Sequence, residues 1–222
     1  MVHYRLISSM KYYEKKFTPA LAFNVFTSFF DIIIELLGFG RSFKRNLLKM
    51  LDIKEQERIL DVGCGTGTLL LEIKSKYPNT DITGIDADPK VLRIANNKLG
   101  NAGISARLVE GLAQDLPFPS NYFTLVVSTL IFHHLKTETK KEAIREIFRV
   151  LKDDGRFLLA DFGKPVNIKS QILLNIGSIF DGKSNMRDNL AGKLPLFLQE
   201  TGFRVTELGS RYRGVQFLMA KK

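Results

Sequence analysis

RILDVGCGTG, residues 58–67, is the stretch from which the rest of the chain can be read. Arg58–Val62 is a short apolar run ending on glycines, the pattern of a buried parallel strand that hands the chain to a tight loop. Gly63, Gly65 and Gly67 allow the backbone to turn sharply and approach a ligand where any Cβ would collide. A dinucleotide-binding fingerprint, G-x-G-x-x-G, would need its third glycine one position later. That position is Thr68, so the spacing here is G-x-G-x-G, preceded by the acidic Asp61. Residues 68–77 read as a helix that stops before Pro78.

Downstream, Asp81–Asp86 (DITGID) forms a second strand whose tip adjoins the glycine loop. A carboxylate there is placed to accept hydrogen bonds from both hydroxyls of a ribose. Its alternative role, a helix cap, is already filled by Asp88 ahead of Pro89. Asp61 reads as a carboxylate that orders the loop by accepting backbone N–H groups, that touches the ligand, or that does both. The following helix sets Val91, Leu92, Ala95 and Leu99 on one face, with Gly100 closing it.

Residues 106–110, 123–128 and 155–161 read as three further strands, and 138–151 as a helix with Ala143, Ile144, Ile147, Phe148 and Leu151 inward. Strands alternating with helices of this length imply right-handed crossovers and a mostly parallel sheet covered on both faces. A helix over 193–201 precedes two β-rich runs, 203–210 and 215–220, joined by a turn short enough for a hairpin. The fold class is therefore α/β: a Rossmann-like, doubly wound, seven-stranded sheet, mostly parallel with an antiparallel last strand.

The 222 residues suit one domain, divided here into an N-terminal helical lid (1–50) and a core (51–222) with a helical insertion around 165–200. Apolar residues make up 45% and charged residues 25%, which excludes disordered and fibrous classes. Cys64 is the only cysteine, so no intrachain disulfide and no cysteine metal cluster forms. Residues 1–16 lack the continuous apolar core of a secretory signal, and the expected compartment is the cytoplasm, with room for peripheral membrane contact. Residues 17–40 are the most apolar stretch, but Asn24, Asp31 and Glu35 interrupt it, which argues against a membrane span. It reads as a helix packed over the core, or as a lid that lines an apolar pocket or rests on a bilayer. Net charge is +10, with +5 in residues 1–50, zero in 51–151 and +5 in 152–222. The excess at the two ends suits an anionic membrane surface, an acidic substrate, nucleic acid, or simple solubility.

Five blocks carry a family resemblance: ILDVGCGTG (59–67), GIDADP (84–89), EGLAQDLPF (110–118), YFTLVVSTLIFHHL (122–135) and EIFRVLKDDGRFLLAD (146–161). In this order and spacing, from about residue 56 to the C-terminus, the chain resembles the class I S-adenosylmethionine-dependent methyltransferases. It looks closest to the branch that includes the ubiquinone/menaquinone and many small-molecule enzymes. The resemblance implies S-adenosyl-L-methionine as cofactor, with S-adenosyl-L-homocysteine as product and no metal. It implies that Gly63, Cys64, Gly65 and Gly67 border the methionine and ribose portions and that Asp86 holds the ribose. Ala87 would then lie under the adenine, the backbone at Leu112 and Ala113 would face the adenine edge, and Ser128 the methionine end. Two departures stand out. Leu112 occupies a position where the family often has an acidic residue, leaving Gln114 or Asp115 as substitutes, and Thr124 follows Phe123 where Asp is usual.

Methyl transfer from a sulfonium is an in-line displacement, which needs chiefly alignment and exclusion of water. A hydroxyl or acidic-carbon acceptor also needs a proton acceptor. His133 and His134, just past the fourth strand, and Asp161, at the tip of the fifth, are the candidates by position. Adjacent side chains diverge, so at most one histidine faces the pocket; packing at the strand end is the competing role. The fourth-strand STLIF is not the element typical of exocyclic-amine methylation, and Cys64 lies in the loop rather than at a nucleophile's position. The expected acceptor is a small, apolar or membrane-associated molecule. RNA or protein methylation, and a regulatory cofactor-binding protein without turnover, are the alternatives. FDIIIELLGFG (30–40) is weakly similar to the N-terminal segment of quinone methyltransferases, but Ile34 replaces their Asn and the chain has no Trp.

Overall fold

A computed structural model describes residues 38–165, 183–209 and 211–222. Most of the apolar stretch 17–40, and residues 166–182 of the insertion, lie outside the described residues. In chain order the elements are α1 (Arg41–Met50), β1 (Arg58–Val62), α2 (Thr68–Lys76), β2 (Asp81–Asp86), α3 (Pro89–Asn101), β3 (Arg107–Glu110) and β4 (Phe123–Thr129). After a 3₁₀ turn at Phe132–His134 come α4 (Thr137–Val150), β5 (Leu151–Phe162), α5 (Lys183–Leu190), α6 (Leu194–Glu200), β6 (Arg204–Glu207) and β7 (Val215–Lys221).

The seven strands lie in the order β3-β2-β1-β4-β5-β7-β6. β1 pairs in parallel with both β2 and β4, and the order reverses between them. In open α/β sheets the ligand crevice forms at such a reversal, outside the carboxyl ends of the strands. β7 runs antiparallel to its two neighbours, β5 and β6. The expected hairpin is present, but its second strand inserts between β5 and the first.

The pleat sends alternate residues to opposite faces, and each face has its own core. Leu60, Val62, Val126, Phe157, Leu159 and Leu218 pack against Ala143, Ile144 and Ile147 of α4 and Phe197 and Leu198 of α6. Ile59, Leu125, Val127, Leu158, Ala160 and Phe217 face the other way, onto Phe43, Leu47 and Leu48 of α1 and Leu69, Leu70 and Ile73 of α2. α1 is therefore part of the core layer, and the division of the chain at residue 50 does not coincide with a boundary in packing.

Two sequence expectations shift in detail. α3 continues through Gly100 and ends where Gly103 takes a left-handed φ of 65°, with Ile104 N–H returning to the Leu99 carbonyl at 2.9 Å. β5 begins at Leu151, earlier than residue 155, with an irregular register opposite Phe123 and Leu125. The Asp88 cap is as expected: its side chain accepts from Lys90 N–H at 2.8 Å, with Pro89 at the start of the helix.

Candidate active site

The glycine loop leaves β1 with Gly63, Gly65 and Gly67 all in the left-handed region, φ 76°, 52° and 73°. A Cβ on Gly63 would lie 2.3 Å from the Ile131 side chain, so two requirements, conformation and space, converge on that glycine. The loop is anchored to β2 by Gly63 N–H and Cys64 N–H, both donating to the Ile85 carbonyl at 2.8 and 3.1 Å. Cys64 is buried, and burial pushes its thiol well above the usual range, so it packs as a small apolar group against Gly84.

Two carboxylates flank this loop and behave differently. Asp86 takes on the ordering role: Oδ2 accepts from Gly65 N–H at 2.8 Å and Oδ1 from Asp88 N–H at 3.0 Å. Asp61 is 1% exposed, and its Oδ1 has no hydrogen-bond partner. Burial raises its pKa to about 7 against the attraction of Lys44. A buried, unpaired carboxylate oxygen costs on the order of 1–3 kcal/mol and leaves an acceptor open to a donor from outside the protein.

The remaining cofactor candidates surround these two. Ser128 is buried in β4, where its hydroxyl donates to the Val62 carbonyl at 2.9 Å across the β1–β4 reversal. Ala87, half-buried, directly follows Asp86. Leu112 and Ala113 sit in a turn closed by the Leu112–Asp115 bridge. The Gly111 N–H bond to the Asp86 carbonyl, 3.0 Å, draws that turn to the tip of β2. Glu146 and Arg149 of α4 hold its far side through Leu116 N–H, the Leu116 carbonyl and the Phe118 carbonyl.

The catalytic candidates lie on the other face of the sheet. Leu130 leaves β4 with φ 59°, unusual for a branched side chain, and the Leu130 N–H bond to the Ala160 carbonyl holds it there. The chain then folds into the 3₁₀ turn carrying both histidines. His133, 4% exposed, places Nδ1 2.8 Å from Asp161 Oδ1. Asp161 is fully buried and also accepts from Phe132 N–H and Phe162 N–H, both at 2.7 Å, and from Asn189 Nδ2 at 3.1 Å. Burial alone would raise its pKa, but His133 and these backbone donors outweigh that and hold it below the usual carboxylate range. Its geometry is that of a group that orients an imidazole. His134 stacks beside His133 at 3.9 Å between ring centroids, and burial and its neighbour lower its pKa to about 3, so it stays neutral.

Residues outside the sequence-derived set complete the site. Lys44 of α1 donates from Nζ to Thr129 Oγ1 at the end of β4. Asn189 of α5 bridges Asp161 and the Phe162 carbonyl, and Asn185 donates to the His134 carbonyl. Gln216 is buried opposite Asp161 in the β5–β7 register, with Nε2 unpaired. For Lys44 a signal was present: residues 44, 47, 48 and 51 share an i, i+3, i+4, i+7 stripe, and a charge on an apolar stripe points into the protein. Asn189 and Gln216 lack such a signal, because their roles depend on which strand neighbours β5.

Comparison with known proteins matches this geometry. A family described as methyltransferase domain aligns with residues 59–155, the span from β1 to the start of β5. In this span the chain is similar to the class I S-adenosylmethionine-dependent methyltransferases. Among curated relatives of this class, the ubiquinone/menaquinone biosynthesis C-methyltransferase UbiE of Proteus mirabilis is 32% identical over 69% of this chain and 62% of its own length. The demethylmenaquinone methyltransferase of Thermus thermophilus is 33% identical over 61% and 62%. The chain thus spans about 62% of the length of each of these two relatives. A solved structure from Methanococcus maripaludis, described as an S-adenosyl-L-methionine-dependent methyltransferase, superposes with a TM-score of 0.66 at 19% identity, covering 88% of this chain and 91% of its own. At that identity the likeness is one of fold.

The residues fit the cofactor of this family. The glycine loop offers an open cradle at Gly65, where an added Cβ would meet nothing within 4 Å, and Asp61 offers a bare acceptor beside it. Among the described residues, no group of three or more His, Cys, Asp or Glu side chains is arranged to hold a metal, and no helix is long and apolar enough to cross a membrane.

Proposed function

We propose that this chain transfers the methyl group of S-adenosylmethionine to a small apolar acceptor, a hydroxylated aromatic ring related to the quinones for which its relatives are named. The observation that carries the reading is the pair of constellations at the carboxyl ends of the central strands. On one side stand the glycine loop, Asp86 and Asp61 with its bare Oδ1; on the other stands the His133–Asp161 pair.

Bound in the crevice, the sulfonium supplies an activated methyl group. The chain's own residues do the rest. Asp86 offers its remaining lone pairs to the ribose hydroxyls while its bonds to Gly65 and Asp88 hold it still. The turn at Leu112 and Ala113 borders the adenine, and Ser128 supports the reversal where the methionine end lies. His133 accepts the hydroxyl proton of the ring at Nε2, because Asp161 engages Nδ1 and fixes the tautomer. The electron density released into the ring strengthens its carbon as the nucleophile. A ring carbon forms the bond to the methyl, the sulfur–methyl bond breaks, and the displaced ring proton leaves to solvent. The exposed cations of α1 support contact with the surface in which an apolar acceptor resides.

Calorimetry tests the cofactor half: Asp86→Ala weakens S-adenosylhomocysteine by about 2 kcal/mol, the loss of hydrogen bonds to a charged acceptor. Transfer of labelled methyl to a prenylated hydroquinone tests the acceptor half, with His133→Ala lowering kcat by roughly 10²-fold or more. Preferential binding of a nicotinamide dinucleotide would sink the first, and transfer to RNA or protein but not to the ring would sink the second.

A further inference from the structure

The buried carboxylate of Asp161 is held by groups from β5, from the 3₁₀ turn and from α5. A carboxylate only accepts, so His133 Nδ1 carries its proton toward it. His133 Nδ1, Phe162 N–H and Asn189 Nδ2 converge on Oδ1 at 2.8, 2.7 and 3.1 Å, whereas Oδ2 accepts from Phe132 N–H at 2.7 Å. Asn189, the contribution of α5, is fully buried, and its nitrogen is committed a second time, to the Phe162 carbonyl at 3.2 Å. Both neighbours on that side are acceptors, so the amide cannot turn over without setting oxygen against oxygen. Its own Oδ1 has no hydrogen-bond partner. Among the described residues, every hydrogen bond of this side chain therefore goes to Asp161 or to the residue that follows it.

α5 has other means of docking. Asp188 accepts from Thr137 and pairs with Lys140 and Lys193, Met186 is buried, and Asn185 donates to the His134 carbonyl. Asn185 and Asn189 lie four positions apart on one face of the helix. The first meets the backbone of the histidine turn, and the second meets the carboxylate on which the imidazole rests.

We propose that Asn189 is the positioning residue of the His133–Asp161 pair: it keeps Oδ1 on the imidazole and draws off part of the carboxylate's charge. This role rests on the reading of His133 as the proton acceptor, and deepens it. A carboxylate free to give its whole charge to His133 favours the imidazolium, which cannot take a proton from the acceptor ring. One that shares its charge with an amide N–H still fixes Nδ1–H, and leaves Nε2 unprotonated over a wider range of pH. Removing the amide donor therefore moves the onset of activity to higher pH. Among the described residues, the titratable groups around the pair are His134 on the turn, Lys140 of α4 and Asp188 of α5, the last two paired with each other. β7 presents the neutral Gln216 opposite Asp161.

The test is a nuclear magnetic resonance titration of the His133 ring nitrogens in the full chain, beside the pH profile of labelled methyl transfer to a prenylated hydroquinone. Asn189→Leu and Asn189→Ala remove the donor, the first at nearly constant volume, with circular dichroism confirming the fold. Both are expected to raise the titration midpoint of His133 and the acid limb of kcat/KM together. The expected shift is about half a pH unit or more, the worth of one hydrogen bond to a charged group. Asn185→Ala frees the His134 carbonyl but leaves Asp161 its donors, and is expected to lower kcat without moving either midpoint. Unchanged midpoints in both Asn189 variants, or an equal shift in Asn185→Ala, overturn the positioning role while leaving His133 as the proton acceptor. Full transfer by His133→Ala overturns the proton-acceptor reading itself.

Discussion

At the scale of single residues, the site separates groups by how their charge is held. Asp161 is buried and Asp86 half-buried, and each accepts bonds from fixed donors, whereas the buried Asp61 retains a bare oxygen. Cofactor affinity should therefore depend on pH through the weakly held groups. Asp61 must be ionised to accept from an ammonium, so affinity rises as pH climbs through about 7. Lys44 must be protonated to donate to a carboxylate, so affinity falls as pH passes about 8. The charged and titratable groups acting on this pair are Cys64, which stays protonated, and Asp86. S-adenosylhomocysteine binding measured from pH 5.5 to 9.5 is expected to peak between these two limbs, and Lys44→Arg should push the alkaline limb upward. A flat profile would mean that neither group meets the ligand. Asp61 as a type of residue at that position could be read from the sequence; its missing partner could not.

Among the elements, α5 does the most to build the histidine turn. Asp188, 1% exposed, accepts from Thr137 Oγ1 at 2.6 Å and pairs with Lys140 and Lys193 at 3.8 and 3.3 Å. Lys140 is fully buried at the first turns of α4, and its Nζ also donates to the Asn185 carbonyl. This cluster fixes α5 against α4, and from that position Asn185 and Asn189 reach the His134 carbonyl and Asp161. Asp188→Ala would strand the buried Lys140 ammonium, and chemical denaturation should show a loss of roughly 3–5 kcal/mol. Methyl transfer should drop further than stability alone explains, since the histidine turn loses its support. A loss under about 1 kcal/mol would show that water compensates Lys140. The helices themselves were legible from their apolar spacing. The buried charge cluster was not, because periodicity registers where side chains point and not which charges meet between two helices.

Across the whole molecule, α1 is packed onto one face of the sheet. Phe43, Leu47 and Leu48 are buried on the same core as Phe217 and Leu158, each contributing roughly 1.5–3 kcal/mol. Deleting residues 1–50 is therefore expected to unfold or severely destabilise the chain, whereas deleting residues 1–37 should leave a cooperative fold that binds S-adenosylhomocysteine. Thermal melts of the two truncations decide this, and a stable 51–222 fragment would show that α1 is dispensable to the core. The exposed Arg41, Arg45 and Lys49 stripe also predicts that vesicle binding by the full chain grows with anionic lipid and weakens with salt, at about 1 kcal/mol per well-placed cation. Lipid-independent binding, or tight RNA association with a steep salt slope, would remove the membrane surface from the proposal.

The sequence by itself determined the alternating βα core, the left-handed glycine loop, the carboxylate at the tip of β2 and the cap at Asp88. Each of these depends on contacts within a few residues or on the period of burial, and both are written locally. Tertiary structure alone decided that β7 inserts between β5 and β6, which sets Gln216 opposite Asp161. It also decided that Lys44 meets Thr129 and lies within electrostatic reach of Asp61, and that His133 meets Asp161 from 28 positions away. Those pairings arise because strand order and helix docking bring distant side chains to one edge of the sheet. Chain proximity carries no record of that, since the burial pattern of a strand is the same whichever neighbour it takes.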